Sequence, residues 1–184
     1  MTNSKIDIII NNFFQENWTE FWRDFFIIIA EIWDKYWVAI LALLFGIYFY
    51  KKNYINKLIT LFVTMFLGVS SSIAIKYLVA RERPENMIME YWGYSFPSGH
   101  SVFAVLFYGI LVYLFWDIIK NKILKFAILL FAVIMWVLVV ISRLYLSVHY
   151  FTDVISGAII GLFWLFFWVF LYKRLENKKL WEID

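Results

Sequence analysis

Five apolar runs occupy most of this chain, and their lengths decide what it can become. They extend from Tyr36 to Tyr50, Leu58 to Ile75, Val102 to Trp116, Phe126 to Ile141 and Val154 to Tyr172, and none contains a charged residue. A helix crosses the roughly 30 Å hydrocarbon layer of a bilayer with about 20 apolar residues. The shorter runs approach that length once flanking aromatic residues and snorkelling lysines are counted. Hydrophobic residues make up 64% of the 184 positions, against about half in a soluble domain. A soluble globule of this size could not hide that surface, so the solvent is lipid. Within lipid every backbone polar group has to be satisfied internally, which here means helices. The expected fold is therefore all-α, a polytopic transmembrane helix bundle forming one domain over residues 1–184, with spans at 36–50, 58–78, 98–117, 124–142 and 153–172.

Ahead of the first span, residues 12–34 carry Phe14, Trp18, Phe21, Trp22, Phe25, Ile28, Ile29, Ile32 and Trp33 at helical spacing. Glu16, Glu20, Arg23, Asp24, Glu31 and Asp34 fall mostly on the other face. A central Asp or Arg costs about 2.5 to 3.5 kcal/mol on insertion scales, so the expectation is an amphipathic helix lying in the interface. The rival is a strained span whose charges face the bundle. Residues 1–12 show no cleavable signal-peptide pattern, with one lysine and a short Ile8-Ile9-Ile10 run. Gly157 and Gly161 make a small-xxx-small pair in the last span, which reads as close helix packing. No internal repeat or low-complexity linker divides the chain.

Charge placement gives an orientation. Lys51, Lys52 and Lys57 lie between the first two spans, Lys120, Lys122 and Lys125 between the third and fourth, and Lys173, Arg174, Lys178 and Lys179 after the fifth. With alternating spans all three groups share one side, expected to be cytoplasmic. The net charge of +3 lies in loops and makes no basic stripe, which argues against a nucleic-acid partner. With no cysteine there is no disulfide framework and no thiolate chemistry.

The opposite side holds the two histidines, His100 and His149, together with Lys76, Arg81, Arg83 and Arg143. Three segments converge there. Lys76 to Pro84 closes the second span. Pro97-Ser98-Gly99-His100 opens the third, where Ser98 can cap the helix and the free N–H groups of Ser98 and Gly99 make an anion site. Ser142 to Asp153 joins the fourth span to the fifth. Lys76, Arg83 and Arg143 supply cationic donors, and the arginine fork matches phosphate oxygens. His149 and Asp153 are four apart and, if helical, share a face. A carboxylate on one imidazole nitrogen would orient the ring and make the other nitrogen the better nucleophile. His100 is then left to protonate a leaving oxygen. The two histidines and Asp153 are too few for a binuclear metal site, so no metal ligands and no cofactor are expected. Singly, each of these residues reads as a snorkelling cation, a helix stop or a surface hydrogen bond. Those readings do not account for the grouping.

The three segments resemble the tripartite signature of the type 2 phosphatidic acid phosphatase superfamily. KxxxxxxRP matches Lys76 to Pro84, PSGH matches Pro97 to His100, and SRxxxxxHxxxD matches Ser142 to Asp153. The likeness covers roughly Leu58 to Tyr172. It implies a membrane-embedded, metal-independent phosphatase for a lipid phosphate or diphosphate, of the undecaprenyl diphosphate, phosphatidylglycerol phosphate or lipid A 1-phosphate type. By the same resemblance, His149 is the nucleophile forming a phosphohistidine, Asp153 orients it, and His100 is the general acid. Lys76, Arg83, Ser98, Gly99 and Arg143 hold the phosphate, with Arg81 as a supporting cation. The implied setting is a bacterial cytoplasmic (inner) membrane, the site facing the periplasm or exterior, with the lipid substrate and the bilayer as partners and no obligate protein partner. A phosphotransferase using the same site, or a non-catalytic membrane protein, are the alternatives. The loop of residues 85–96, with Met87, Met89, Tyr91 and Trp92, is expected to lie against lipid.

Overall fold

In the computed structural model, which describes residues 4–177, seven helices follow one another: α1 (Lys5–Glu16), α2 (Glu20–Ile32), α3 (Lys35–Lys51), α4 (Ile55–Val79), α5 (Gly99–Phe115), α6 (Lys122–Tyr145) and α7 (Phe151–Asn177). Each of the five apolar runs is the body of one of the last five helices. Lys178 and Lys179, counted above among the cytoplasmic charges, lie outside the described residues. By length and composition α4, α6 and α7 suffice to cross a membrane, while Tyr36–Lys51 and Gly99–Phe115 are shorter apolar helices.

The expected single helix over residues 12–34 is instead two helices. Thr19 adopts an extended conformation and its hydroxyl accepts the Trp22 N–H, which makes it the N-cap of α2. Its own N–H donates to the Tyr145 hydroxyl at 2.8 Å, which pins the break to the end of α6. A Thr in that position favours a helix start over helix continuation, and the amphipathic pattern concealed it. α1 opens on a reciprocal capping box between Ser4 and Asp7. Asp34 caps α3 by accepting the Tyr36 N–H, and Asn121 caps α6 by accepting those of Ile123 and Leu124.

α5 is the centre of the bundle, packed against α4, α6 and α7. Val102, Ala104, Leu106, Phe107, Ile110 and Leu114 are all essentially inaccessible along it. The glycine pair of the last span acts as read from the sequence. A Cβ on Gly157 would sit 2.5 Å from the Ser98 carbonyl oxygen, and one on Gly161 would sit 2.9 Å from Val105 Cβ. The two helices thus meet at backbone distance where α5 begins. The outward faces carry exposed large apolar side chains, among them Leu78, Ile123, Phe126 and Phe163, as a lipid-facing surface requires. A second, smaller apolar cluster joins Phe26 and Ala30 of α2 to Tyr145, Leu146 and Val148, and Met87, Met89 and Tyr91 pack on it. The loop of residues 85–96 therefore turns its methionines and Tyr91 inward. Of the four apolar residues named above in this loop, Trp92, 91% exposed, is the one that points away.

Candidate active site

The C-terminal ends of α4 and α6 and the N-terminal ends of α5 and α7 bring the three sequence segments together, and α1 closes the cluster from the side. Lys76 lies in the last turn of α4. Its ammonium donates to the carbonyls of Tyr94 at 2.7 Å and Pro97 at 3.0 Å, and approaches that of Ser95 at 3.4 Å. It thus fixes the segment leading into Ser98 and sets its charge beneath that turn. The Phe96–Pro97 peptide is cis.

Ser98 occupies the N-cap position of α5, but its hydroxyl makes no capping bond. Its N–H is not free either, because it donates to the Asp153 carbonyl at 2.9 Å. The expectation of a Ser98 cap with an open Ser98 N–H is corrected accordingly: that N–H is spent on tying α5 to α7. What remains is the Ser98 hydroxyl, fully buried and without a hydrogen-bond partner among the described residues. Gly99 has open space where a side chain would stand.

Arg143 is completely buried. Its Nε donates to the Ser142 hydroxyl at 3.1 Å and its Nη1 to the Tyr91 hydroxyl at 2.9 Å. The same Nη1 lies 3.4 Å from Nε2 of His100. Nη2 is buried with no partner among the described residues. Buried polar atoms are seldom left unpaired, and a buried guanidinium N–H still more seldom, because desolvating a charged donor is costly. Arg143 Nη2 and the Ser98 hydroxyl are thus two buried donors without a partner among the described residues.

His149 sits in the turn between α6 and α7, not on a helix. The turn is held by the Val148 N–H on the Arg143 carbonyl and by Arg83 Nη1 on the Val148 carbonyl at 2.6 Å. Asp153 is in the first turn of α7 and reaches back to accept the Tyr150 N–H at 2.9 Å, as a carboxylate in the third helical position does when it caps. The pair therefore meets across a helix cap and not along a helix face. Nδ1 of His149 stands 3.5 Å from Asp153 Oδ2, close enough for ionic attraction but without hydrogen-bond alignment. On the other side of the ring, Nε2 is 3.4 Å from Arg83 Nη1. An arginine has only donors, so the ring is assigned with its proton on Nδ1, facing Asp153, and its lone pair on Nε2. Burial drives the pKa of His149 down to about 4, with Asp153 pulling upward and Arg83 and Lys76 adding to the fall. The ring is thus neutral at pH 7. Burial also lowers the pKa of Arg83, which nevertheless stays far above neutrality as arginines do.

Two parts of the site were not read from the sequence. Tyr91 lies at its centre, with the guanidinium carbons of Arg83 and Arg143 5.3 and 5.6 Å from its ring centroid and the His100 ring edge-on at 5.9 Å. Nothing distinguished it from the other aromatic residues of its loop. The other is a buried polar chain behind Asp153. Arg81 Nη1 donates to Asp153 Oδ1 at 2.6 Å and to the Thr152 hydroxyl at 2.7 Å, and its Nη2 donates to Asp7 Oδ2 at 2.8 Å. Asp7, in α1, lies 145 positions from Thr152, whose N–H it accepts at 2.9 Å. Among the described residues no group of three His, Cys, Asp or Glu side chains is placed to hold a metal ion.

Chemically, the arrangement offers an oriented imidazole lone pair, a second histidine, the cations Lys76, Arg81, Arg83 and Arg143, and buried donors without partners among the described residues, at one end of an apolar bundle. A family model described as PAP2 superfamily matches residues 56–177. Among curated proteins, phosphatidylglycerophosphatase B of Bacillus subtilis (strain 168) is 34% identical over 140 residues, which is 72% of this chain and 64% of that one. The match thus spans a little under two thirds of the relative's length. Among solved structures, a transmembrane PAP2-type phosphatidylglycerolphosphate phosphatase from Bacillus subtilis superposes with a TM-score of 0.82 at 25% identity, over 97% of this chain and 87% of that one. Aquifex aeolicus LpxE superposes with a TM-score of 0.74 at 21% identity, over 91% and 96%. The LpxE likeness is one of fold.

Proposed function

This chain belongs to the PAP2 superfamily, and from that membership and the site just described we propose that it is an integral membrane phosphatase of a lipid phosphate or diphosphate. The observation that carries the reading is the coincidence of unpaired buried donors, Arg143 Nη2 and the Ser98 hydroxyl, with an oriented neutral histidine. A phosphoryl group held between Arg143, Arg83, Lys76, Ser98 and Gly99 satisfies those donors. The positive charge around it stabilises the oxygens of the transition state, the part a metal plays elsewhere.

Nε2 of His149 attacks phosphorus in line with the leaving oxygen. As the P–N bond forms, the P–O bond to the lipid breaks, and its electron pair takes a proton from His100, which enters the step as its cation once the bound phosphate anion offsets the nearby Arg143. Asp153 compensates the positive charge that appears on the His149 ring. In the second half, His100 accepts a proton from water, the water oxygen bonds to phosphorus, and the P–N electron pair returns to Nε2. Inorganic phosphate leaves.

A lipid substrate suits the surroundings. An apolar crevice of about 530 Å³ lies between α3, α5 and α6, lined by Leu41, Phe45, Leu111, Phe131 and Met135 among others. None of the site's polar residues lines it, and its apolar walls are of the kind a hydrocarbon tail would occupy. A smaller crevice of about 330 Å³, lined by Glu31, Asp34, Trp37 and Tyr91 among others, reaches the site through Tyr91. Of the candidate substrates, phosphatidylglycerol phosphate is favoured by the relative of 34% identity. All five helices α3 to α7 cross the bilayer in this reading, with the site on the outer face of a bacterial cytoplasmic membrane.

The test is release of inorganic phosphate by the purified protein in detergent from phosphatidylglycerol phosphate, phosphatidic acid, undecaprenyl diphosphate and lipid A 1-phosphate. Release from at least one without an added acceptor, undiminished by a chelator, is the expected result. Turnover that needs an acceptor alcohol would make the protein a phosphotransferase. Loss of turnover in chelator with recovery in magnesium would overturn the metal-free mechanism.

A further inference from the structure

We propose that Asp7 is a positioning residue for the phosphatase reaction: it shares the charge of Arg81, so that Asp153 keeps enough negative charge to orient and activate His149. The inference rests on the reading of His149 as nucleophile. Asp7, Arg81 and Asp153 are 1%, 2% and 0% exposed, and Arg81 lies between the two carboxylates, at 2.8 Å from Asp7 and 2.6 Å from Asp153. The Arg81 guanidinium also stacks over the Tyr150 ring at 4.1 Å, which holds its plane. A buried arginine paired with Asp153 alone would cancel the charge that His149 needs when its ring becomes cationic. With Asp7 present the three groups sum to one negative charge, and that charge faces His149.

Asp7 is built for this position. Burial opposes its charge, but hydrogen bonds from the Thr152 N–H, from Arg81 and from Ser4 hold its pKa down to about 2. It is therefore ionised at any pH at which the enzyme would work. Its Oδ1 accepts the Thr152 N–H at 2.9 Å, at the positive end of the α7 dipole, while Oδ2 accepts the Ser4 N–H at 3.1 Å. One carboxylate thus caps its own helix and the neighbouring helix that carries Asp153. An N-terminal helix that only lay on the interface would need no buried carboxylate on this chain of contacts.

The charges facing His149 are Arg83 from the loop after α4, Lys76 from α4, His100 from α5 and Asp153 from α7. Of these only Asp153 is joined to Asp7, through Arg81, so the His149 ring reports on that relay. The measurements are kcat and KM for phosphate release, together with the Nδ1–H resonance of 15N-labelled His149 at pH 7. With two histidines in the chain, His100→Ala assigns the signal. Asp7→Asn is expected to lower kcat about tenfold with KM within about twofold, and to shift the His149 Nδ1–H signal upfield as Arg81 offsets more of the Asp153 charge that Nδ1 faces at 3.5 Å. The double variant Asp7→Asn with Arg81→Gln restores the sum of one negative charge, and is expected to regain at least about threefold in kcat over Asp7→Asn alone. Ser4→Ala loosens α1 without changing any charge, and is expected to lower the melting temperature while leaving kcat and the His149 signal as they are. Should Asp7→Asn not accumulate as folded enzyme, Asp7→Glu keeps the charge and is expected to hold kcat within about threefold and the His149 signal unmoved.

A double variant worse than Asp7→Asn would overturn the proposal, as would an unmoved His149 signal in Asp7→Asn or a displaced one in Asp7→Glu. Equal loss of kcat in Ser4→Ala and Asp7→Asn would likewise reduce Asp7 to a structural anchor. Failure of the phosphatase reading is a different result: no phosphate release from the unaltered protein, whatever the His149 resonance does.

Discussion

Arg83 and His149 face each other with Nη1 3.4 Å from Nε2, and the same Nη1 donates to the carbonyl of Val148 at 2.6 Å. The arginine therefore fixes the backbone that carries the histidine and at the same time confronts its lone pair. A phosphoryl oxygen entering between them would meet a donor on one side and a nucleophile on the other. Replacing Arg83 by Lys keeps the charge but loses the planar fork that spans both contacts. Arg83→Lys is expected to lower kcat/KM by about 10- to 100-fold, with a loss of about 1.4 to 2.7 kcal/mol in transition-state stabilisation. Steady-state kinetics on one lipid phosphate would decide it. Retention of more than half the activity would remove Arg83 from the site.

Arg143 differs in being wholly enclosed and in having an Nη2 without a partner among the described residues. Arg143→Gln should cost more than Arg83→Lys in activity, because it removes both the donor and a full charge. Its effect on stability should be small or even favourable, since a buried cation with an unmet donor is destabilising in the free protein. A variant with a melting temperature at or above that of the unaltered protein and with activity lowered by about 1,000-fold is expected. A variant that is both active and unstable would show Arg143 to be structural.

These residues were legible because the chemistry puts rare residue types at fixed intervals in an otherwise apolar chain. Lys76, Arg83, Arg143 and the two histidines stand out against runs that contain no charge at all. The helices were legible for the same reason, each apolar run ending where lipid would end. Other features depend on distance in space and left no mark on the pattern. Asp7 and Thr152 meet across 145 positions, and Tyr91 is one aromatic among many. The N–H of Ser98 reads as available in the sequence because a helix start usually leaves it so, but the close approach of α7 at Gly157 brings the Asp153 carbonyl to it. The break at Thr19 was hidden because hydrophobic periodicity continues through it in register.

The close approach at Gly157 gives a prediction about packing. A Cβ there would stand 2.5 Å from a backbone oxygen and 3.0 Å from Ser101 Cβ, neither of which can swing aside. Gly157→Ala is expected to destabilise by about 1 to 3 kcal/mol as an overpacked contact. Because the oxygen belongs to Ser98, the displacement would also move the start of α5, so activity should fall by more than the loss of folded protein explains. Thermal unfolding in detergent and kcat measured on the folded fraction separate the two effects. An unchanged melting temperature would contradict the packing.

Membrane orientation can be read from single cysteines, since the chain has none of its own. Trp92 and Lys120 are both exposed, the first beside the site and the second between α5 and α6. With the site outside, Trp92→Cys should be labelled in intact cells by an impermeant maleimide and Lys120→Cys only after lysis. Labelling of both from one side would refute the orientation, and labelling of Lys120→Cys alone in intact cells would invert it.

The acid response of the protein follows from two displaced pKa values. His149 titrates near 4 in the folded protein instead of near 6.5, because burial disfavours its cation. Between those values the unfolded chain binds more protons than the folded one, so stability from this residue is complete above about 6.5 and falls as pH drops toward 4. Asp7 titrates near 2 instead of 3.8, held down against burial by its hydrogen bonds from Thr152, Arg81 and Ser4. Its contribution is complete above 3.8 and is lost as pH falls toward 2. Melting temperature in detergent should therefore decline across both windows. His149→Gln has no titrating ring, so it should flatten the response between pH 6.5 and 4 while leaving the lower window intact. Asp7→Asn should do the reverse. A His149→Gln variant that retained the full decline between pH 6.5 and 4 would show that the buried ring is not what the folded protein keeps neutral.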